Sequence, residues 1–269
     1  MEIFQYDFMR KAFIVGIMLA VIIPCIGVVV VLKRLSMIGD AISHTSLAGV
    51  TFGLVFNINP ILASIIFCIL AALSIEFIRK KIAKYGEMSI SIIMSLSIGL
   101  AGMLSGFVSN NSNFNSFLFG SIVAVSDFEL RLVIFISLIS ILIFIFLYKE
   151  IFYIIFNERL AKLSGVPVNR INFIFTILTA VTVSISARAV GALIVSSMMV
   201  VPVACSMQIA GSYKKTIIYA VLFNLFFTIL GIFISYYEGL KPGATIVLIS
   251  IIAFVIIILF KSLFLHFKK

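Results

Sequence analysis

Long apolar stretches alternate with short charged clusters along this chain, and within the stretches apolar residues fall on every face. Stretches free of Lys, Arg, Asp and Glu cover Ala12–Leu32, Ala41–Ile75, Met88–Ser126, Leu132–Tyr148, Ala189–Tyr213, Thr216–Tyr237 and Pro242–Phe260. Most are long enough to cross roughly 30 Å of hydrocarbon as a helix of about 20 residues. A transmembrane barrel instead needs short segments of alternating polarity, so the pattern predicts an all-α, polytopic membrane helix bundle. Spans are expected over Ala12–Leu32, Pro60–Ile78, Ser89–Phe107, Leu130–Tyr148, Ile171–Ala187, Val190–Cys205, Thr216–Tyr236 and Ala244–Leu265. The segment Ser36–Phe56 fits less cleanly. It contains glycines and ends in Asn57-Ile58-Asn59-Pro60, so it either crosses or is broken and re-entrant.

Composition agrees with the pattern. With 63% hydrophobic and 11% charged residues and a mean hydropathy of +1.29, 269 residues cannot cover a soluble globule with polar surface. The first apolar run ends in Lys33-Arg34 and lacks a small-residue cleavage site, unlike a signal peptide. The net charge of +10 reflects short basic clusters between apolar runs, a positive-inside pattern rather than a nucleic-acid footprint. Clusters at Arg79–Lys84, Lys149–Arg170 and Lys214-Lys215, with the Lys268-Lys269 tail, are therefore expected in the cytoplasm. The Asn-rich Ser109–Ser116 and the turn Gly239–Gly243 then fall outside. Counting about eight spans, with Ser36–Phe56 not crossing, keeps Arg10 and Lys11 inside. Counting nine, with that segment crossing, puts the amino terminus outside.

Asp40 and His44 are the candidate chemistry. Four residues apart, they share one helix face, in a segment with no other ionisable group of its kind, where a polar ionisable side chain at membrane depth usually belongs to a transport path or proton relay. Hard carboxylate oxygen with imidazole nitrogen suits borderline divalent ions such as zinc or manganese. Two ligands do not complete a tetrahedral site, but a symmetric homodimer with this segment at its two-fold axis doubles the set. The alternative open at this stage is that Asp40 caps the segment or pairs with Lys33 or Arg34, while His44 satisfies a backbone carbonyl.

Other features have simpler readings. Cys25, Cys68 and Cys205 lack metal-ligand spacing and read as small core residues. Ser196–Pro202 leads into the polar stretch Ser206–Lys215, which is either a proline kink with a basic loop or a cytoplasmic segment gripped by a partner. Asn157–Pro167 reads as a polar loop helix ended by glycine and proline. Phosphate-binding loop, HExxH and nucleophile-elbow signatures are missing, so the chain is not expected to be an enzyme, and any nucleotide hydrolysis belongs to another chain. An ion-coupled secondary transporter is disfavoured because only one intramembrane acid and no convincing repeat are present. An intramembrane enzyme lacks a further catalytic group beside the pair.

The run Leu32–Val50, with its basic pair Lys33-Arg34, Gly39-Asp40-Ala41, Ser43-His44 and Gly49-Val50 in one register, closely resembles the signature of the membrane permease subunits of zinc and manganese ABC importers. The resemblance extends over nearly the whole chain, through Phe4–Arg10, Phe117–Ile122, Asn157–Val166, Val190–Pro202 and Pro242–Leu248. It implies a type II ABC importer-like permease in the bacterial cytoplasmic membrane, one domain over residues 1–269. It also implies a homodimer working with two cytoplasmic ATPase subunits and an extracytoplasmic metal-binding protein. Asp40 and His44 match the family positions associated with metal passage, with Ser43 as an auxiliary oxygen donor. The segment 204–215, with Ala204, Gln208, Gly211, Ser212, Lys214 and Lys215, corresponds to the place where ATPase closure is transmitted.

The chain has only two histidines, and the second, His266, is in the tail, so no second intramembrane histidine is available. The site is then completed by neutral oxygens or by symmetry. Ser46–Val50 and Phe4–Met9 look more like the zinc branch than the manganese branch. The expected cargo is therefore zinc, with manganese or iron as the alternative, and no permanently bound cofactor. Deprotonated Asp40 and neutral His44 are the binding forms, so acidification is expected to weaken transport.

Overall fold

The computed structural model describes residues 5–82, 86–108 and 125–266. Those residues form eleven helices: α1 (Asp7–Leu32), α2 (Ile38–Val55), α3 (Pro60–Lys81), α4 (Gly86–Ser105), α5 (Asp127–Phe146), α6 (Tyr148–Phe156), α7 (Glu158–Leu163), α8 (Val168–Val190), α9 (Ala192–Ile209), α10 (Tyr213–Glu238) and α11 (Pro242–His266). Seven of them, α1, α3, α4, α5, α8, α10 and α11, are long and apolar enough to cross a membrane. The all-α expectation holds. The span counts of eight and nine are not reached on length and composition, because α2 and α9 fall outside that set.

Local chemistry explains where the helices stop. Asn59 caps α3 by accepting from the amides of Ile61 (3.0 Å) and Leu62 (3.3 Å), with Pro60 at the first helical position, where no amide donor is needed. Ser126 and Glu129 form a reciprocal capping box at the start of α5. Asn157 caps α7, as its position ahead of the polar loop suggests. Between α8 and α9 the chain turns on the single residue Gly191, at φ 111°, a conformation that a side chain would strain.

The bundle is layered. In α1 and α8 the span is 72% buried, against 22% in α5 and α11, so the first two form the centre and the last two present Ile, Leu and Phe outward, as a lipid-facing surface requires. α1 packs on α10, α9 and α5, while α2 packs on α3, α4, α9 and α8. From Val15 to Val30 every residue except Ile17, Met18 and Val21 is buried, which makes α1 the spine of the core.

Two expectations are corrected. The Asp/His segment is not broken: α2 is a continuous helix. Its glycines serve contact rather than flexure, since a Cβ on Gly49 would lie 2.6 Å from Ser64 Cα. The second correction concerns Lys11, which was expected beside the cytoplasmic clusters. Its ammonium lies 2.7 Å from Asp127 and 2.9 Å from Asp7, so the start of α1 shares an end with the start of α5. Arg79 and Lys80, at the carboxyl end of α3, and Lys162 of α7 instead border one cavity with Lys33 and Arg34, which follow the carboxyl end of α1. The positive-inside rule is a bias in the number of Lys and Arg between the two sides, so the larger clusters set it and one amino-terminal basic pair does not override them. Ser109–Ser116, Phe117–Ile122, Lys84 and the Lys268-Lys269 tail lie outside the described residues.

A candidate metal path on one face of α2

α2 carries its ionisable pair on a helix that is otherwise sealed into the protein. From Ile38 to Thr51 every residue is buried except Asp40 and His44. At 100° per residue the two side chains lie about 40° apart around the axis, so one narrow face is open and the rest is packed. Asp40 stands in the first turn, where the helix dipole favours a carboxylate.

The packed faces are held by hydroxyls. Ser46 Oγ and Ser64 Oγ lie 2.8 Å apart, and Ser64 Oγ and Ser184 Oγ 2.8 Å apart, joining α2, α3 and α8 in one chain of hydrogen bonds. Thr45 Oγ1 meets Ser97 Oγ of α4 at 2.7 Å, and Cys68 Sγ of α3 donates to the Ile42 carbonyl at 3.4 Å. Each link satisfies a polar atom that hydrocarbon would leave stranded. Together they fix the rotation of α2 and hence the direction in which its open face points. Cys25, Cys68 and Cys205 are buried and free, as read from their spacing.

The structural alternatives for the pair are not realised. Met37, not Asp40, is the N-cap residue, and no side chain caps α2. Lys33 donates to Asn172 Oδ1 of α8 at 2.7 Å and lies 5.7 Å from the centre of the Phe175 ring. Among the described residues neither Asp40 nor His44 makes an ion pair or side-chain hydrogen bond. Ser43 Oγ, between them in sequence, is also buried without a partner. Burial lowers the Lys33 pKa to about 8, with Arg79 nearby adding to the effect.

One copy of the chain does not assemble a complete coordination shell. No group of three or more His, Cys, Asp or Glu side chains that could hold a metal occurs among the described residues. The pair supplies one carboxylate and one imidazole on an open face, half of what a four-coordinate site needs. His266 is the last residue of α11, on a different helix from the pair.

The segment 204–215 is a corner rather than a separate helix. Ala204 and Gln208 belong to the last turns of α9, Gly211 and Ser212 to the turn, and Lys214 and Lys215 to the start of α10. Ser212 Oγ accepts from the Lys215 amide at 3.4 Å, and Lys261 of α11 donates to the Gln208 carbonyl at 2.9 Å. Gly211, Ser212, Lys214 and Lys215 are exposed. Pro202 sits inside α9 without ending it.

Sequence reasoning missed the hydroxyl chain and the Lys33–Asn172 bond. The available signal was the density of uncharged polar residues in α8, where Thr176, Thr179, Thr182, Ser184 and Ser186 recur in an otherwise apolar span. It also missed the contact of α9 with α2, where Gly39 admits the Met199 side chain.

Comparison with known proteins places these features in context. The model of the ABC 3 transport family matches residues 5–261. The manganese transport system membrane protein MntC of Listeria monocytogenes is 32% identical over 257 residues, covering 95% of this chain and 91% of that protein. The high-affinity zinc uptake system membrane protein ZnuB of Buchnera aphidicola is 27% identical over 248 residues, covering 91% of this chain and 95% of that protein. Among solved structures, PsaBC from Streptococcus pneumoniae in complex with Fab superposes with a TM-score of 0.87 at 27% identity, over 99% of this chain and 97% of that one.

Proposed function

This chain belongs to the ABC 3 transport family and is a membrane permease subunit of a metal importer rather than an enzyme, and from that premise we propose that Asp40 and His44 form its half of a divalent-metal path. The observation that carries the reading is the open face of α2: two unpartnered ligand side chains in a stretch where every neighbour is buried. A second copy of the chain facing the first across this surface brings two carboxylates and two imidazoles together, and the two carboxylates balance a divalent ion. The unpartnered Ser43 hydroxyl is an additional oxygen donor. Few ligands per copy suit a path, where the ion must be held well enough to lose water yet released quickly.

In this reading a homodimer crosses a bacterial cytoplasmic membrane with nine helices per copy, α2 and α9 joining the seven longer ones, and residues 1–269 act as one permease domain. An extracytoplasmic binding protein delivers the ion at the end marked by Lys11 and Asp127. Two ATPase subunits engage the opposite end at the 204–215 corner, whose exposed Gly211, Ser212, Lys214 and Lys215 support this role.

Zinc is the proposed cargo, on the sequence character of Ser46–Val50. Manganese is the second reading, favoured by relatives of similar coverage named for each metal. Nitrogen and oxygen ligands accept both ions, so the pair itself does not discriminate. Uptake of radiolabelled zinc and manganese by the assembled complex, with Asp40→Ala and His44→Ala, tests both points. Loss of uptake in both variants with ATPase subunits still bound is expected. Wild-type uptake in both would remove the site.

A further inference from the structure

A second polar region lies at the basic end of the bundle, away from the open face of α2. Residues of the α1–α2 turn (Lys33, Arg34, Leu35), the end of α3 (Glu76, Arg79, Lys80), the start of α4 (Gly86, Glu87, Met88) and α7 (Glu158, Lys162) surround a cavity of about 930 Å3. Asp40 and His44 do not line it.

Its charges do not cancel. Five cationic side chains face three carboxylates. Glu76 is already engaged by Arg79 at 2.6 Å and by Lys80 at 3.7 Å, and Glu158 by Lys162 at 3.4 Å. The Lys33 ammonium bonds the neutral Asn172 side chain and faces the Phe175 ring, and makes no ion pair among the described residues. Arg34 is exposed and makes no ion pair among the described residues. Its backbone is held at φ 57°, uncommon for a residue with a side chain. The amino-terminal end of the twenty-residue α4 adds a positive dipole end to the same space.

We propose that this cavity binds a phosphate-bearing anion, with Arg34 and Lys33 as its principal cationic contacts. The transported metal is a poor occupant, because excess positive charge repels a cation and no three-ligand group is present among the described residues. A phosphate monoanion or phosphodiester instead complements the net excess of positive charge that remains after Glu76, Glu87 and Glu158 are counted, and guanidinium pairs with phosphate oxygens in a planar fork. The cavity lies where helix ends mark the edge of the hydrocarbon layer, the depth at which basic pockets between membrane helices hold anionic headgroups. A headgroup and free phosphate present the same chemistry, and experiment separates them.

The test uses the intact permease–ATPase complex and two charge-removal variants. One carries Lys33→Gln with Arg34→Gln in the cavity; the other carries Lys149→Gln with Arg170→Gln at the same end outside it. Retention of phosphatidylglycerol is measured by native mass spectrometry from nanodiscs of phosphatidylethanolamine with added phosphatidylglycerol, and binding of inorganic phosphate by 31P line broadening. The expected result is a loss of roughly thirty-fold in affinity in the cavity variant alone. If only phosphatidylglycerol retention falls, the occupant is the lipid headgroup. If only the inorganic phosphate signal changes, the source is the soluble ion. Both results support the site. Equal losses in the two variants, or binding of neither ligand that depends on Lys33 and Arg34, would overturn it.

Discussion

Ser64 of α3 bonds at once to Ser46 of α2 and to Ser184 of α8, each at 2.8 Å. One hydroxyl can donate once and accept twice, so this serine is the single joint of the chain that orients the helix carrying Asp40 and His44. All three residues are buried, and no water reaches them to compensate for a lost bond.

Ser64→Ala therefore strands the hydroxyls of Ser46 and Ser184 without their shared partner. Interhelical hydrogen bonds in membranes contribute modestly, so a loss of about 1 kcal/mol is expected. Thermal unfolding of the detergent-solubilised protein measures it. An unchanged midpoint would mean that neighbouring groups replace the bonds at no cost.

Removing the proposed ligands has the opposite signature. Asp40 and His44 make no ion pair or side-chain hydrogen bond among the described residues, so Asp40→Asn and His44→Ala break nothing that holds the fold. Their midpoints are expected to equal or exceed that of the wild-type protein while metal uptake falls by more than tenfold. A destabilisation of more than about 1 kcal/mol would mark the pair as structural and return it to the reading that its sequence spacing left open.

Met199 of α9 sits between two glycines, and the two respond differently to a methyl group. A Cβ on Gly27 would lie 2.1 Å from the Met199 carbonyl oxygen, whereas one on Gly39 would lie 2.5 Å from the mobile Met199 Cε. Backbone cannot step aside, but the end of a methionine can. Gly27→Ala is expected to destabilise by about 2–3 kcal/mol or prevent folding, and Gly39→Ala by about 1 kcal/mol or less. Expression and thermal midpoints compare them; equal effects would contradict the assigned contacts.

Lys33 gives a pH dependence of defined sign. Its pKa falls from 10.5 to about 8 in the folded protein, so between those values the unfolded chain binds more protons than the native one. Stability contributed by this group then rises with pH across that window. The midpoint of the wild-type protein minus that of Lys33→Met is expected to increase between pH 7.5 and pH 10. A flat difference would show that Lys33 is better solvated than its position implies.

The bundle was legible because hydrocarbon imposes one rule on every span: apolar outside and backbone bonds satisfied within. That rule located every long helix from α3 to α11 to within a few residues. It said little about α2, whose Ser, Thr and Gly residues look polar by composition but are hidden by α3, α4, α8 and α9. The glycines left both a crossing and a broken course open for this segment, whereas Gly49 marks a place where α3 presses close. The side on which Lys11 lies also escaped the sequence, because the compensating Asp127 is 116 positions away. The Asp40/His44 pair was visible from its spacing and isolation, but its open face was not, since exposure depends on partners contributed by four other helices.

The turn-free course of α9 gives the bundle a mechanical property. The Met199 contact with Gly39 and the exposed end at Ile209 are two points on one helix, about 15 Å apart. Gly39 is the residue before Asp40. A push applied at the 204–215 corner therefore reaches the neighbour of Asp40, the proposed metal ligand, through a single rod, without crossing a loop. Pro202 lies within that rod, where its missing amide removes one bond of the ladder. The rod can flex at that point, so the stroke delivered to α2 depends on the stiffness of one helical turn as well as on the size of the push.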